Sequence, residues 1–221
     1  MLSSTIKKSN ALILFFVSLM FTGSFCFTGA HAVDDKTIID QWDEVTVSPP
    51  VELKTVRLDP RTTAFLILDI EQRTCNMQRR PRCIASTPRI GNFLKRARIK
   101  GVAVVYSLTS KGEPETILPE VTPAGNEPIV KSSVDKFFNT DLEKILRDRG
   151  AETVIIVGTT AEGAVLHTAT GAAMRGYRVI VPVDGISAAT LYAEQYTAWH
   201  LLNAPGTRGQ TTLTRFDMIE F

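Results

Sequence analysis

The sequence predicts an α/β fold: a three-layer α/β/α sandwich around a mainly parallel sheet. Three observations predict it. Short, continuously apolar runs recur along the chain, as in AFLILDI (64–70), VAVVYSL (102–108) and TVIIVG (153–158). Runs of that kind mark strands covered on both faces. Segments with helical spacing lie between and after them and stop at glycines, Gly101, Gly150 and Gly176. Strands alternating with helices make parallel β/α units, and right-handed crossovers put helices on both faces of the sheet. The sheet is therefore expected to be Rossmann-like, with its ligand beyond the carboxyl ends of the strands.

The elements follow in order. Lys7 and Lys8 precede an apolar run from Ala11 to Phe21, and AHA ends at Ala32. A basic start, a short apolar core and an A-x-A site predict a secretory signal peptide over 1–32, and hence an exported protein, periplasmic or secreted. Residues 33–60, with VSPP and LDP, predict an extended arm that wraps the domain. The domain itself spans 61–221. After AFLILDI, the segment TPRIGNFLKRARIKG predicts a helix with Ile90, Phe93, Leu94 and Ala97 on one face. VAVVYSL is the second strand, residues 109–127 a loop, and PIVK (128–131) a short third strand. NTDLEKILRDRG predicts a helix capped by Thr140 with Glu143 three residues on. TVIIVG is the fourth strand, 161–175 a helix, RVIVPV (178–183) a strand, AEQYTAWHLLNA a helix and TTLT (211–214) a last strand. The aromatic stretch YAEQYTAWHLL reads as core, with an interface between copies, in a homo-oligomer, as the other reading.

Composition narrows the function. The chain has 221 residues and a formal charge of +2; removing Lys7 and Lys8 with the leader makes it neutral. A nucleic-acid partner has no basic footprint here. Once the leader is removed, no stable membrane insertion is expected. His167 and His200 sit among apolar helical neighbours and read as packing or interface residues rather than metal ligands. With no H-x-H, H-E-x-x-H or C-x-x-C, no metal site is predicted, and G-T-T-A-E-G is not a dinucleotide fingerprint, so no cofactor is predicted. Cys75 and Cys83 are the cysteines left after the leader. In an oxidising compartment they are expected to pair, the alternatives being free thiols or a nucleophilic Cys75.

At the strand ends stand the chemical candidates. Asp69 follows four apolar residues, so partial desolvation is expected to raise its pKa and suit it to proton transfer. Lys131 ends PIVK and is expected to pair with Asp69 or to donate to a substrate. Gly158, Thr159 and Thr160 lead into a helix start, where N–H groups bind anions, and Glu162, Gly163 and Ala164 occupy the turn. Asp184 reads as a cap. RRPR (79–82) reads as a solvated basic loop or as a selector of an anionic substrate.

LILDIEQ, VKSSVDKFFNTDLEKILRDRGAETVIIVGTT and TATGAAMRGYRVIVPVDGISA, in this order and spacing, resemble the isochorismatase-like hydrolase superfamily, which includes cysteine hydrolases such as nicotinamidases and N-carbamoylsarcosine amidases. The resemblance covers about residues 60–215. It implies a triad of an Asp after strand one, a Lys after strand three and a Cys six residues past the strand-four glycine. Asp69 and Lys131 match, but the Cys position holds Ala164, so nucleophilic catalysis is excluded there. True isochorismatases are similar in having glycine at that position and using the Asp as general acid or base while the Lys orients the substrate. The resemblance also implies a cis peptide at Thr159–Thr160. Glu162 stands where relatives often carry Asn or His. The implied activity is a small-molecule hydrolase with Asp69, Lys131 and Glu162 as catalytic residues and Thr159, Thr160, Gly163 and Ala164 lining the substrate. The alternative is a retired enzyme that binds a small ligand or a partner.

Overall fold

A computed structural model describes residues 35–221. The expected signal peptide, 1–32, lies outside the described residues. Two compact units are distinguished, the first reaching Thr46 and the second spanning Val47–Phe221. In the described part of the first, Thr37 and Asp40 close a turn through two 2.7 Å hydrogen bonds, and a short 3₁₀ turn follows at Trp42–Glu44. The remainder of the expected arm belongs to the second unit, where Val51 and Leu53 pack against the core and the Lys54 N–H donates to the Leu213 carbonyl.

In the second unit the elements run β1 (Val56–Arg57), β2 (Thr63–Leu68), α1 (Pro81–Ile99), β3 (Ala103–Thr109), β4 (Ile129–Ser132), α2 (Leu142–Asp148), β5 (Thr153–Thr159), α3 (Leu166–Met174), β6 (Arg178–Pro182), β7 (Ile186–Ser187), α4 (Leu191–Asn203), β8 (Thr211–Thr214) and β9 (Ile219–Glu220). The main sheet has seven strands in the order β4-β3-β2-β5-β6-β8, with β7 added beside β5. Every pairing in it is parallel. The expected three-layer architecture is what forms.

Strand alternation builds the two faces. Ala64, Leu66 and Leu68 of β2 point into one core, with Leu142, Leu146, Ala169, Ala172 and Leu201 from α2, α3 and α4. Phe65 and Ile67 point into the other, with Ile90, Phe93, Leu94 and Ala97 of α1. The four α1 residues expected on one face are thus its buried stripe. Leu68 at the end of β2 is paired with Gly158 of β5. Gly158 has φ 131°, and a Cβ there would lie 2.0 Å from the Leu68 carbonyl oxygen, so only glycine lets these two strand ends close up.

Several local expectations are corrected. α1 starts at Pro81, inside the basic stretch expected to be loop, because proline suits a first helical turn. Thr140 accepts from the Leu142 N–H at 3.2 Å, but Glu143 turns away to Arg147 and Arg175, so no capping box forms. The aromatic stretch of α4 is not core. Thr197 and Leu201 are its buried residues, whereas Tyr192, Tyr196 and Trp199 remain 70%, 39% and 42% exposed. His167 is exposed, and His200 lies half-buried against the Tyr196 ring. Asp184 does cap, but the capped group is the distant Phe216 N–H, at 3.1 Å. Among the described residues no helix is long and apolar enough to cross a membrane.

Candidate active site

Asp69 leaves β2 with φ 55°, a left-handed conformation that a non-glycine residue adopts at a cost of about 1–3 kcal/mol. The conformation is held from both sides. Its N–H donates to the Ser107 carbonyl at 3.0 Å, and the Thr74 hydroxyl donates to its carbonyl. The side chain consequently turns inward, 4% exposed. Lys136 Nζ lies 2.8 Å from Oδ2, and Ser107 Oγ donates to Oδ1 at 2.8 Å. Burial pushes the Asp69 carboxyl above the usual carboxylate range, against the opposing pull of Lys136 and Ser107; nearby Glu71 adds to the rise.

Lys136 has no exposed surface. Besides Asp69, its ammonium donates to the carbonyls of Leu108, Ser132 and Ser133 at 3.3, 3.1 and 2.5 Å. An ammonium with three protons and four oxygen neighbours is fully occupied. It fixes the carboxylate of Asp69 and has nothing left to offer a substrate.

This corrects the expectation for Lys131. That residue is exposed on β4, the edge strand, and pairs with Glu113 at 2.9 Å. The reason is the strand's alternation: Val130 and Ser132 are buried and Lys131 faces out. The chain then turns after β4 and returns Lys136 to Asp69. The sequence carried a signal for it, since Lys136 sits against Phe137 and Phe138, unusual company for a solvated lysine. Ser107 was also missed; it is the polar residue in VAVVYSL. Glu71, two residues past Asp69, has no exposed surface and accepts from the Thr109 hydroxyl at 2.7 Å, with Oε2 unpaired.

The turn after β5 is a π-helical turn, Ala161–Val165, that continues into α3. The Thr160 carbonyl accepts from both Gly163 and Val165 N–H groups, at 3.2 and 3.1 Å. Thr159–Thr160 is a cis peptide, and the Thr159 hydroxyl donates to the Ser187 carbonyl at 3.1 Å. A Cβ on Gly163 would lie 2.5 Å from Thr160 Oγ1, so a glycine fits this turn. Ala164 is 3% exposed and belongs to the core on the α3 side, while Glu162 is half-buried.

Cys75 and Cys83 form a disulfide, with both residues buried. The reading of Cys75 as a free nucleophile is thereby overturned. The basic stretch beside it is not simply solvated. Arg82 pairs with Glu194 of α4 at 2.5 Å, and Arg80 Nη1 donates to the Thr74 carbonyl at 2.8 Å. Among the described residues, no group of three or more His, Cys, Asp and Glu side chains is placed to hold a metal ion.

Comparison with known proteins identifies the domain. Residues 63–214 match the family model of the isochorismatase domain. Over 113 residues the chain is 32% identical to the secreted isochorismatase effector Isc1 of Verticillium dahliae, covering 46% of this chain and 60% of that protein. It is 35% identical over 105 residues to streptothricin hydrolase of Streptomyces noursei, covering 42% of this chain and 41% of that one. The chain thus spans about two-fifths to three-fifths of the length of these relatives. The same fold occurs in the crystal structure of an isochorismatase family protein from Desulfovibrio vulgaris, with a TM-score of 0.64 at 22% identity over 71% of this chain and 95% of that one. With the family domain filling most of the second unit, the chain belongs to the isochorismatase family.

Proposed function

We propose that the protein is a small-molecule hydrolase in which Asp69 is the general acid and base and no cysteine nucleophile takes part. The observation that carries this reading is the buried Asp69 carboxyl. It is held by Lys136 and Ser107 at the end of β2, and its pKa is raised by burial. A carboxyl held above its usual range keeps a protonated fraction nearer neutral pH, as proton donation requires. Six residues past Gly158, where cysteine hydrolases place their thiol, the buried methyl of Ala164 has no electron pair for attack. Hydrolysis of a vinyl ether suits such a site, because protonation of carbon followed by water attack needs an acid and no covalent intermediate. Lys136 acts here as a positioning residue for Asp69. Glu162, in the turn before α3, is the second carboxylate, suited to activating water, and Thr159, Thr160, Gly163 and Ala164 shape the substrate side.

Asp69→Asn tests the reading. With the fold intact by circular dichroism, turnover of a vinyl-ether substrate should fall by about 10²–10⁴-fold, the scale of general acid–base catalysis. In the parent protein the acid-dependent rate should decline as pH rises through the raised Asp69 pKa, and the variant should lack that limb. Undiminished turnover in the variant refutes the role.

Ala164 also favours a second reading, a ligand-binding protein without turnover. Ligand-induced thermal stabilisation with no product formed would select it. We also propose that the chain is exported. The leader-like N-terminus, the Cys75–Cys83 disulfide and the secreted relative from Verticillium dahliae support this. N-terminal sequencing of protein recovered outside the cytoplasm should begin at Val33.

A further inference from the structure

Glu71 is a buried carboxyl that the chemistry just described leaves unused. It has no exposed surface, and Asp69, two residues before it, is 4% exposed. The neighbouring strand holds both. Ser107 Oγ donates to Asp69 Oδ1 at 2.8 Å, and Thr109 Oγ1 donates to Glu71 Oε1 at 2.7 Å. Ser107 and Thr109 are alternate residues of β3, so their side chains leave one face of the strand, roughly 7 Å apart. The two carboxyls therefore occupy adjacent rungs set by one strand.

Glu71 is not free to turn away. Its carbonyl accepts from the Thr74 and Cys75 N–H groups at 3.0 and 2.8 Å. On either side the chain is tied to the loop after β3. The Gln72 N–H donates to the Thr116 carbonyl at 2.9 Å, and the Leu118 N–H donates to the Ile70 carbonyl at 3.1 Å. Gly112 of that loop closes over the side chain, where a Cβ would overlap Oε2. Oε2 is sealed there without a hydrogen-bond partner.

The charges around the pair are uneven. Lys136 Nζ, from the turn after β4, lies 2.8 Å from Asp69 Oδ2 and spends its other protons on carbonyls. Arg80, from the loop before α1, acts on Asp69 through its charge without forming an ion pair. Beyond Gly112, Glu113 turns outward to Lys131 at 2.9 Å. Among the described residues Glu71 has no cation partner, only the Thr109 hydroxyl. Two neighbouring carboxyls thus have one directly paired ammonium between them, and like charges this close disfavour ionising both. Burial is the main reason that the Asp69 carboxyl sits above the usual carboxylate range, and Glu71 adds to the rise.

We propose that Glu71 is a positioning residue for the reaction: its buried charge, one rung along β3 from Asp69, keeps a proton on the Asp69 carboxyl until substrate takes it. This rests on the reading of Asp69 as the proton donor and names the group that sets its readiness. Lys136 and Ser107 fix where the carboxyl points, and Glu71 governs how tightly it holds its proton.

The test is a carboxyl carbon-13 NMR titration of the full mature protein, labelled at Asp and Glu, without substrate. Glu71→Gln keeps the side-chain length and the acceptor for Thr109 but removes the charge. The Asp69 midpoint should fall by about 0.5–1 pH unit, which is about a three- to tenfold loss of proton affinity. Glu71→Asp keeps the charge on a shorter side chain and should recover most of that fall. A merely structural role predicts the reverse order, because Gln is the better copy of the shape. In the parent protein, where no variant has to fold, the Asp69 resonance should show a second inflection as Glu71 titrates, as coupled groups do. An unchanged Asp69 midpoint in Glu71→Gln, an equal fall in Glu71→Asp, or a parent curve without the second inflection overturns the assignment. Turnover in Asp69→Asn decides the catalytic role of Asp69, whereas the titration decides the action of Glu71 upon it.

Discussion

Lys136 carries a charge into a place with no exposed surface, and Asp69 is what makes this tolerable. Removing one partner of a buried pair leaves the other uncompensated, which costs about 3–5 kcal/mol. Lys136→Met should therefore lose about that much stability at neutral pH. The loss should depend on pH, with a definite sign. Burial already raises the Asp69 pKa in the folded state, and Lys136 opposes the rise. Without the ammonium, the folded pKa moves further above its unfolded value. A carboxyl so shifted destabilises the fold above its folded pKa, and the penalty fades as pH falls towards the unfolded value. The gap between variant and parent in urea unfolding should thus shrink from pH 7 to pH 5. A gap below about 1 kcal/mol, or one that widens on acidification, would contradict the pairing. At this scale the sequence was half legible. Asp69 was readable because four apolar residues lead into it. Its partner was not, because choosing between Lys131 and Lys136 requires knowing which way β4 points its side chains and where the next turn brings the chain.

Elements with a long periodic pattern were readable, and those built from two residues were not. β1, β7 and β9 are two residues each and carry no period to detect. The start of α1 was hidden for a different reason: the proline that favours a first helical turn stands among arginines that resemble a surface loop. Between β2 and α1 the chain makes a turn-rich connection, and the Cys75–Cys83 bridge closes it over a sequence separation of 8. For a closed loop that short, the constraint on the unfolded chain is worth about 2–3 kcal/mol. Replacing both cysteines by alanine should lower the Tm by roughly 4–12 °C for a domain of this size, as calorimetry would measure. It should also loosen Arg80, whose N–H and carbonyl bonds lie within the loop. A Tm within about 2 °C of the parent would mean that the hydrogen bonds of residues 69–83 hold the loop unaided.

The second unit gathers the candidate site residues at one end of a parallel sheet while both faces of the sheet are packed as core. Asp69, Ser107, Gly158 and the turn at 160–164 all lie at or just beyond the carboxyl ends of β2, β3 and β5, where an open α/β sheet places its ligand. That end was legible from the order of strands and helices alone. The closure of the chain was not. β1 and β9 pair in parallel, Val56 with Ile219 and Arg57 with Glu220, and the Leu58 N–H donates to the Glu220 carbonyl at 2.9 Å. Arg96 of α1 donates to the carbonyls of Phe216 and Ile219 at 2.6 and 3.1 Å, while Phe93 packs its ring against Phe65, Phe216 and Phe221. Phe216, Ile219 and Phe221 thus belong to the α1-side core or pack against it. A segment held as core and a loosely held one predict different outcomes for one substitution. Ile219 is 3% exposed. If it is core, Ile219→Ala should cost about 2–5 kcal/mol, as for other buried isoleucines. Urea unfolding should show the midpoint falling with an unchanged slope, because the unfolded surface is the same. A change within about 0.5 kcal/mol, as at ordinary surface positions, would show that residues 216–221 are loosely held and that the α1-side core closes without them.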